Sequence, residues 1–350
     1  MSRSRITMAR LAAELGVSVS TVSNAYNRPE KLSSGVRDRV MSLAEELGYA
    51  GPDPLARSLR RQRTGGIGVV FTDDLPFVFT DPASAGFLAG VAQDLTDTGR
   101  HLVLLPAGTP DRRQQAPIDH GAVDGIIFHS LPRGEATLSL LQRRGTPAVL
   151  VDQPSPVPGI AWVGLDETAS MQAMGAHLAA LGHVHVGCIT SRLGTAPHNG
   201  PASPSRASHS RFTIPRDRIH GLQQGLGHPV TIEERWDTTI GAGADATAHL
   251  LNRNPRITAI ACIADTYALG ALAWAGEHHV QVPNHLTITG YDDIPAAGSA
   301  GLTTMRQPFD LKGQTAARTL RGLIDGAEAP TTHTFKTMLV KRSSSGPRRL

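Results

Sequence analysis

Residues Ala9 to Asn27 read ARLAAELGVSVSTVSNAYN. The spacing predicts two short helices joined by a glycine turn. Thr7 is placed to N-cap the first, Met8 to Leu15, along which Leu11, Ala12 and Leu15 recur at helical spacing. Gly16 suits the tight turn, and Ser18 caps the second helix, Val19 to Tyr26. There Val22 and Ala25 face inward, while Ser20, Thr21, Ser23 and Asn24 stay outside. An ordinary helical hairpin accounts for the two helices, but not for an outer face made of hydroxyls and amides. Short polar side chains at a helix N-terminus reach base edges and phosphates together, as a major-groove reader must. A third helix, from Gly35 to Leu47 with Ser33 or Ser34 as its cap, brings Val36, Val40, Leu43, Ala44 and Leu47 to close a three-helix core. Its Arg37 and Arg39 are placed for backbone phosphates.

Charge is sorted in the same way. Residues 1–64 hold 11 Lys/Arg against 6 Asp/Glu, whereas the remainder holds 23 against 24. A positive field confined to the N-terminus is the footprint of a phosphate-contacting module. Next comes Gly51 to Thr64, GPDPLARSLRRQRT, with two prolines at its start and four arginines after them. One reading is a plain basic linker. The other is a hinge too short to be a stable helix alone, which gains order on DNA. Leu59 stands among the arginines without an obvious core, and an apolar wedge between base steps would use it.

GVSVSTVSNAYN, LAEELGY and LARSLRRQRTGGIGVV, with VPNHLTITGYDDIP and LTTMRQP far downstream, together resemble the LacI/GalR family of transcriptional regulators. The motifs follow that family's order and spacing over nearly the whole chain. The resemblance implies a homodimer on a near-palindromic double-stranded DNA operator, with recognition helices in two major grooves and hinge leucines in the central minor groove. Carried over by position, it places DNA contacts at Ser18, Val19, Ser20, Thr21, Ser23, Asn24 and Asn27, with Ala56 and Leu59 in the minor groove. Thr7 and Arg57 join this expected set. Many relatives carry arginine where this chain has Asn24, so the operator sequence does not transfer.

From Gly66 onward, short apolar runs alternate with helical patterns. Ile67–Phe71, His101–Leu105, Gly125–His129, Ala148–Asp152, Val184–Thr190, Ala259–Ala264 and Leu286–Tyr291 read as strands. Ala85–Thr98, Glu135–Arg143, Glu167–Leu181, Ile219–Leu226, Ala242–Leu251, Tyr267–His278 and Gln307–Asp325 read as helices. Such alternation argues parallel sheets covered by helices. Joined with the resemblance, the expected fold is α/β. A helix-turn-helix domain over 1–50 and a hinge over 51–64 precede a two-subdomain, periplasmic-binding-protein-like core over 65–350.

Ligands of open α/β sheets bind beyond the carboxyl ends of the strands. Those ends offer Thr72, Asp73, Asp152, Asp265, Asp292 and Asp293, and Arg218 opens a helix nearby. Carboxylates with one arginine make a forked hydrogen-bonding set suited to sugar hydroxyls. By position, the resemblance implies effector contacts at Thr72, Asp152, Arg218, Asp292 and Phe309, the last against a sugar's apolar face. For Asp265 and Asp293 a turn or cap role competes with ligand contact. Phe79 and Phe77 either line the cleft or cover the core. Ala264 stands where the family has asparagine, so one effector amide is missing. Gly194 to Arg216, rich in Pro, Ser and His, reads as a mobile or partly disordered insert, either a lid or an ornament.

Other classes fare worse. No GxSxG, GxxxxGK[ST] or paired-cysteine motif is present, so an enzyme is not expected, nor a cofactor. The fifteen histidines raise a metal site, but His183 in LGHVHVG fits better as a cationic helix C-cap, and no metal is expected. Cys188 and Cys262 lie in apolar runs as buried thiols of a reducing cytoplasm. No apolar run approaches the ~18 residues of a membrane span, and no secretion signal is legible. The tail KRSSSGPRRL carries no leucine heptad, which favours a dimer over a tetramer. The expected protein is a cytoplasmic DNA-binding regulator, a repressor, whose operator affinity follows a sugar or related metabolite. The alternative is a sugar-binding sensor or receptor acting without DNA.

Overall fold

The computed structural model describes residues 6–51, 63–73, 75–106, 123–134, 143, 145–326 and 329–348. The hinge positions Ala56, Arg57 and Leu59, and all but the last residue of the helix expected over 135–143, lie outside the described residues. The chain divides into two compact units, Met1–Gly65 and Gly66–Leu350.

The first unit holds α1 (Met8–Leu15), α2 (Val19–Asn27), a 3-10 turn at Pro29–Lys31 and α3 (Ser34–Glu46). Thr7 Oγ1 accepts from the Arg10 N–H at 3.3 Å, and Ser18 Oγ accepts from the Thr21 N–H at 3.0 Å. Each cap satisfies a donor that the first helical turn leaves open. Gly16 ends α1 at φ 65°, a left-handed conformation that a Cβ would penalise. Leu11, Ala12, Val22, Ala25, Val40 and Ala44 form the core. Tyr26 and Tyr49 meet edge to face at 5.9 Å and tie the end of α2 to the residues after α3. Two expectations change. Ser33 gives α3 no side-chain cap, and Val36 stays half-buried outside the core.

The second unit begins with β1 (Gly66–Phe71), α4 (Leu75–Thr80), α5 (Pro82–Leu95), β2 (His101–Pro106), β3 (Gly125–His129), β4 (Ala148–Val151) and β5 (Ala161–Leu165). It continues through α6 (Glu167–Ala180), β6 (Val186–Thr190), β7 (Gly200–Ala202), α7 (Pro204–Ser208), α8 (Thr213–Leu226), β8 (Thr231–Glu234), α9 (Ile240–Arg253), β9 (Ala259–Cys262) and α10 (Asp265–Glu277). Last come β10 (Thr287–Thr289), α11 (Pro295–Ser299), β11 (Thr304–Arg306), α12 (Phe309–Ile324), β12 (Thr332–Phe335) and β13 (Met338–Val340).

These elements build two subdomains. The first has a six-stranded, wholly parallel sheet of order β12-β5-β4-β3-β1-β2. The second has a five-stranded sheet, β10-β9-β6-β8-β7, parallel except for the edge strand β7. The chain passes between them after β5, before α12 and after β12. The strands of β1, β3, β4 and β5 are buried on both faces. Ile67, Val69, Phe71, Val149 and Val163 join one core, and Val70, Phe128, Leu150 and Trp162 the other. Branched aliphatics supply the volume that so few aromatics cannot. Helices α5 and α12 pack backbone to backbone, because a Cβ on Gly90 would run into the Asp310 carbonyl and one on Gly313 into that of Phe87.

Two sequence expectations need correction here. The segment 194–216 is folded, into β7, α7 and the start of α8. Its polar composition is satisfied internally. Glu234, fully buried on β8, takes Nε of Arg206 at 2.6 Å and its Nη2 at 2.9 Å. Asn199 Oδ1 accepts from the Trp236 N–H at 2.8 Å. His183 is no cationic cap. Its ring is buried between Thr258 Oγ1 (2.9 Å) and the Gly346 carbonyl (3.0 Å), and burial lowers its pKa, so it is a neutral tie to the C-terminal segment.

Candidate functional site

On α2, Val22 and Ala25 are buried in the helical core, which turns Val19 and Ser20 outward. Thr21, Ser23, Asn24 and Asn27 are half-buried. Ser18 Oγ lies 2.6 Å from Ser20 Oγ and 2.8 Å from Thr21 Oγ1, and Asn27 Nδ2 donates to the Ser23 carbonyl at 2.9 Å. These bonds fix a rank of short polar side chains on one face. Val19, 47% exposed, is an apolar residue with no core at the helix start, which is what contact with a thymine methyl uses.

The second unit brings acid and base together at the carboxyl ends of its strands. Asp152, just past β4 at φ 63°, is buried and takes Lys312 Nζ on both oxygens at 2.8 Å. His129 Nε2, at the end of β3, stands 3.8 Å from the same carboxylate. Burial pushes the Asp152 pKa up, but Lys312, His129 and Arg218 outweigh it and hold it below the usual value. Burial takes His129 the other way, down to about 4 against the pull of Asp152, so its ring is neutral between the Phe71 and Phe87 rings. Lys312 lies one helical turn after Phe309, which itself packs over Gly86.

Arg218 is buried on α8. Its Nε and Nη2 pair with Glu167 at 2.7 and 3.0 Å, and its Nη1 donates to the Ile263 carbonyl at 2.6 Å. Its guanidinium lies 3.5 Å from the centre of the Tyr291 ring, and the Tyr291 hydroxyl donates to Glu167 at 2.8 Å. Burial works against the charge, yet Glu167 holds the Arg218 pKa above its ordinary value. Asp292 follows at φ 120°, buried, accepting from Gln307 Nε2 at 2.6 Å. Burial drives its pKa well up, with Asp265 and Asp81 adding to the rise and Arg218 opposing it.

Asp152, Arg218 and Asp292 thus share one electrostatic neighbourhood across the two subdomains. Thr72, just past β1, donates its hydroxyl to the Ser130 carbonyl just past β3. Two expected residues stand apart. Asp265 is walled off behind Gly290, accepting from Thr304 Oγ1 at 2.6 Å and from the Ile294 N–H at 2.9 Å. Burial raises its pKa to about 7. It pins the turn after β10 rather than facing a ligand. Phe79, on α4, is 63% exposed.

Sequence reading missed His129, Glu167, Tyr291, Gln307 and Lys312. Lys312 was within reach, since Phe309 and Lys312 share a helix face. Among the described residues, His129 Nδ1, Thr190 Oγ1, Thr289 Oγ1 and Gln307 Oε1 are buried without a partner. They sit at the ends of β3, β6 and β10 and in the crossover before α12, at carboxyl ends of strands.

Residues 7–51 match the family model "Bacterial regulatory proteins, lacI family", and residues 176–345 match "Periplasmic binding protein-like domain". An HTH-type transcriptional regulator of Mycolicibacterium smegmatis is 38% identical over 357 residues, 98% of this chain and 97% of its own. Among solved structures, a LacI-family transcriptional regulator from Corynebacterium glutamicum shares 32% identity, with a TM-score of 0.74 over 98% of this chain and 99% of that one. A transcriptional regulator CelR–cellobiose complex shares 26%, with a TM-score of 0.69 over 97% and 100%.

Proposed function

The chain belongs to the LacI family of bacterial transcriptional regulators, and on that premise we propose that it is a homodimeric repressor whose affinity for a near-palindromic operator is set by an uncharged sugar. The DNA contacts fall on the outer face of α2, from Ser18 to Asn27. The sugar lies between the subdomains, against Asp152, Arg218, Asp292 and Phe309. The hinge over 51–64, with Ala56 and Leu59 in the minor groove, completes the DNA-bound state.

One observation carries the choice of an uncharged ligand. The cations Arg218, Lys312 and Arg192 beside the cleft are already held, by Glu167, Asp152 and Asp73 in turn. Among the described residues, groups left to a ligand include the Asp292 carboxyl and the buried Nδ1 of His129, Oγ1 of Thr190 and Oε1 of Gln307. Such a set suits hydroxyls, which both donate and accept. A phosphate would have to draw a cation off its carboxylate and sit beside Asp292. The likeness to a regulator solved with cellobiose supports the same class.

Selection of duplexes from a random DNA pool, at one fixed salt concentration, tests the reading. The expected result is an enriched near-palindrome. That duplex then serves as the probe for neutral sugars and their phosphate esters. Release or tightening by a neutral sugar alone is the expected response. Enrichment with a response to phosphate esters alone would overturn the ligand class, and absence of enrichment by a folded protein would overturn the regulator.

A further inference from the structure

The stretch from Arg192 to Ile214 belongs to the second subdomain, yet it reaches the first at three places. Arg192 Nη2 lies 2.6 Å from Asp73 Oδ1, just past β1. The Arg133 N–H, past β3, donates to the Arg211 carbonyl at 2.7 Å. The Ile214 N–H, in the first turn of α8, donates to Gln153 Oε1, past β4, at 3.1 Å. All three partners follow strands of the first sheet, so the three contacts form a row along the cleft.

The stretch is also stiff. Arg192 is held by its own subdomain, its guanidinium carbon 4.9 Å from the centre of the Phe212 ring and 5.6 Å from that of Trp236. A planar cation stacked on aromatic faces is oriented before it meets a carboxylate, so little freedom is lost when the pair forms. The Arg211 N–H donates to the Leu193 carbonyl at 2.9 Å, and Leu193 N–H to Glu234 Oε1 at 2.9 Å. Arg206 closes on that same Glu234. Arg192 and the Arg133 contact therefore move as one piece, anchored on β8.

We propose that Arg192 and the segment 193–214 are a clasp that holds the two subdomains together, and that it fixes how far the cleft favours its closed arrangement. The contacts exist only when the subdomains meet, so they lower the free energy of that arrangement relative to an open one. A molecule that binds between the subdomains then needs to supply less of the closure itself. Its apparent affinity scales with the fraction of protein already closed. The Pro-, Ser- and His-rich stretch thus has a task, and Arg192 is a positioning residue for the response rather than a ligand contact. The proposal rests on the geometry of the two subdomains and not on the sugar reading.

Hydrogen exchange of the full-length protein, with no sugar added, tests it at the amides that cross the cleft. The Arg133 and Ile214 N–H groups report closure, and the Cys188 and Ile260 N–H groups, inside the second sheet, report the integrity of that subdomain. Arg192→Gln and Asp73→Asn, made from opposite sides, are each expected to speed exchange at Arg133 and Ile214 about three- to tenfold, the range for one charge-assisted contact. Cys188 and Ile260 are expected to keep their rates, and the double variant to match the stronger single one. Unchanged rates at Arg133 and Ile214 in both single variants would overturn the clasp. So would acceleration of all four amides together, or effects of the two substitutions that simply multiply.

Discussion

At the scale of single residues, the cleft is a set of buried charges whose partners are assigned. Arg218→Ala leaves Glu167 buried without its guanidinium, and such a loss costs about 3–5 kcal/mol. Thermal unfolding is expected to show a large fall in midpoint, partly recovered when Glu167→Gln is added to the same chain. Full recovery of stability without recovery of a sugar response would separate the two roles of Arg218. His129 gives a pH dependence. The unfolded imidazole titrates at 6.5 and the folded one at about 4, so below 6.5 the unfolded chain binds a proton that the folded chain refuses. Stability therefore declines as pH falls from 6.5 towards 4, by at most roughly 3 kcal/mol for this group. His129→Phe keeps the packing between Phe71 and Phe87 and is expected to flatten that part of the melting curve against pH; an unaltered slope would assign the acid sensitivity to other groups. Asp292 and Arg218 were visible in the sequence because strand ends and a helix start are places where α/β folds put polar groups to use. Asp265 was visible for the same reason, with a turn role and a ligand role both open, because a strand-end aspartate that pins a turn has the same local sequence as one that meets a ligand. What distinguishes them is Thr304, thirty-odd positions away, and no local pattern carries that.

At the scale of elements, polar residues decided what could be seen. α1, α2 and α3 were legible to within a residue or two, since caps and periodicity agreed. α5 starts at Pro82 rather than Ala85, because Asp81 accepts from the Ser84 N–H at 2.9 Å and sets the first turn earlier. β8 escaped notice. Its TIEE sequence looks solvent-facing, but Glu233 and Glu234 are fully buried, each matched by arginine: Arg235 and Arg253 for the first, Arg206 for the second. The same pairing explains how 194–216 can be polar and ordered. β12 and β13 are two residues apart yet part company, β12 joining the six-stranded sheet and β13 pairing antiparallel with β11. Helix contacts are the least forgiving elements. Gly313→Ala drives a methyl into the Phe87 carbonyl and pushes α12 off α5. An overpacked site of this kind costs about 1–3 kcal/mol or more, which denaturant unfolding would register as a lower midpoint at unchanged slope. A neutral result would mean that the helices can part without loss.

At the scale of the whole molecule, positive charge and polar readers share the first unit, and the buried ion pairs lie in the second. That division predicts two kinds of DNA-binding variant. Arg39→Gln is expected to weaken binding to all sequences alike and to reduce the salt slope by about one, for the phosphate it no longer neutralises. Ser20→Ala is expected to change which base pairs are preferred and to leave the slope alone. Competition titrations at several salt concentrations separate them, and a sequence-dependent loss in the arginine variant would remove Arg39 from the phosphates. The parallel sheets were legible in the sequence as β–α alternation, and their division into two subdomains only through the family resemblance. Which strand joins which sheet was not, because β12 pairs with β5 across most of the second subdomain's sequence.

That pairing governs the order in which the protein can be made. The reader's core is complete once Glu46 and the few residues behind it have left the ribosome. The first sheet must wait. Five of its strands emerge by Leu165, but α12, which covers it, and β12, which ends it, come only after residue 308. During that interval the faces of Val149, Val163 and Ala161 that α12 will cover have no partner, while a whole second subdomain is synthesised in between. A chain cut short anywhere before Phe335 would thus carry a finished DNA reader on an unfinished sensor, and the quality-control machinery of the cell would meet it as an exposed apolar sheet rather than as a partial regulator.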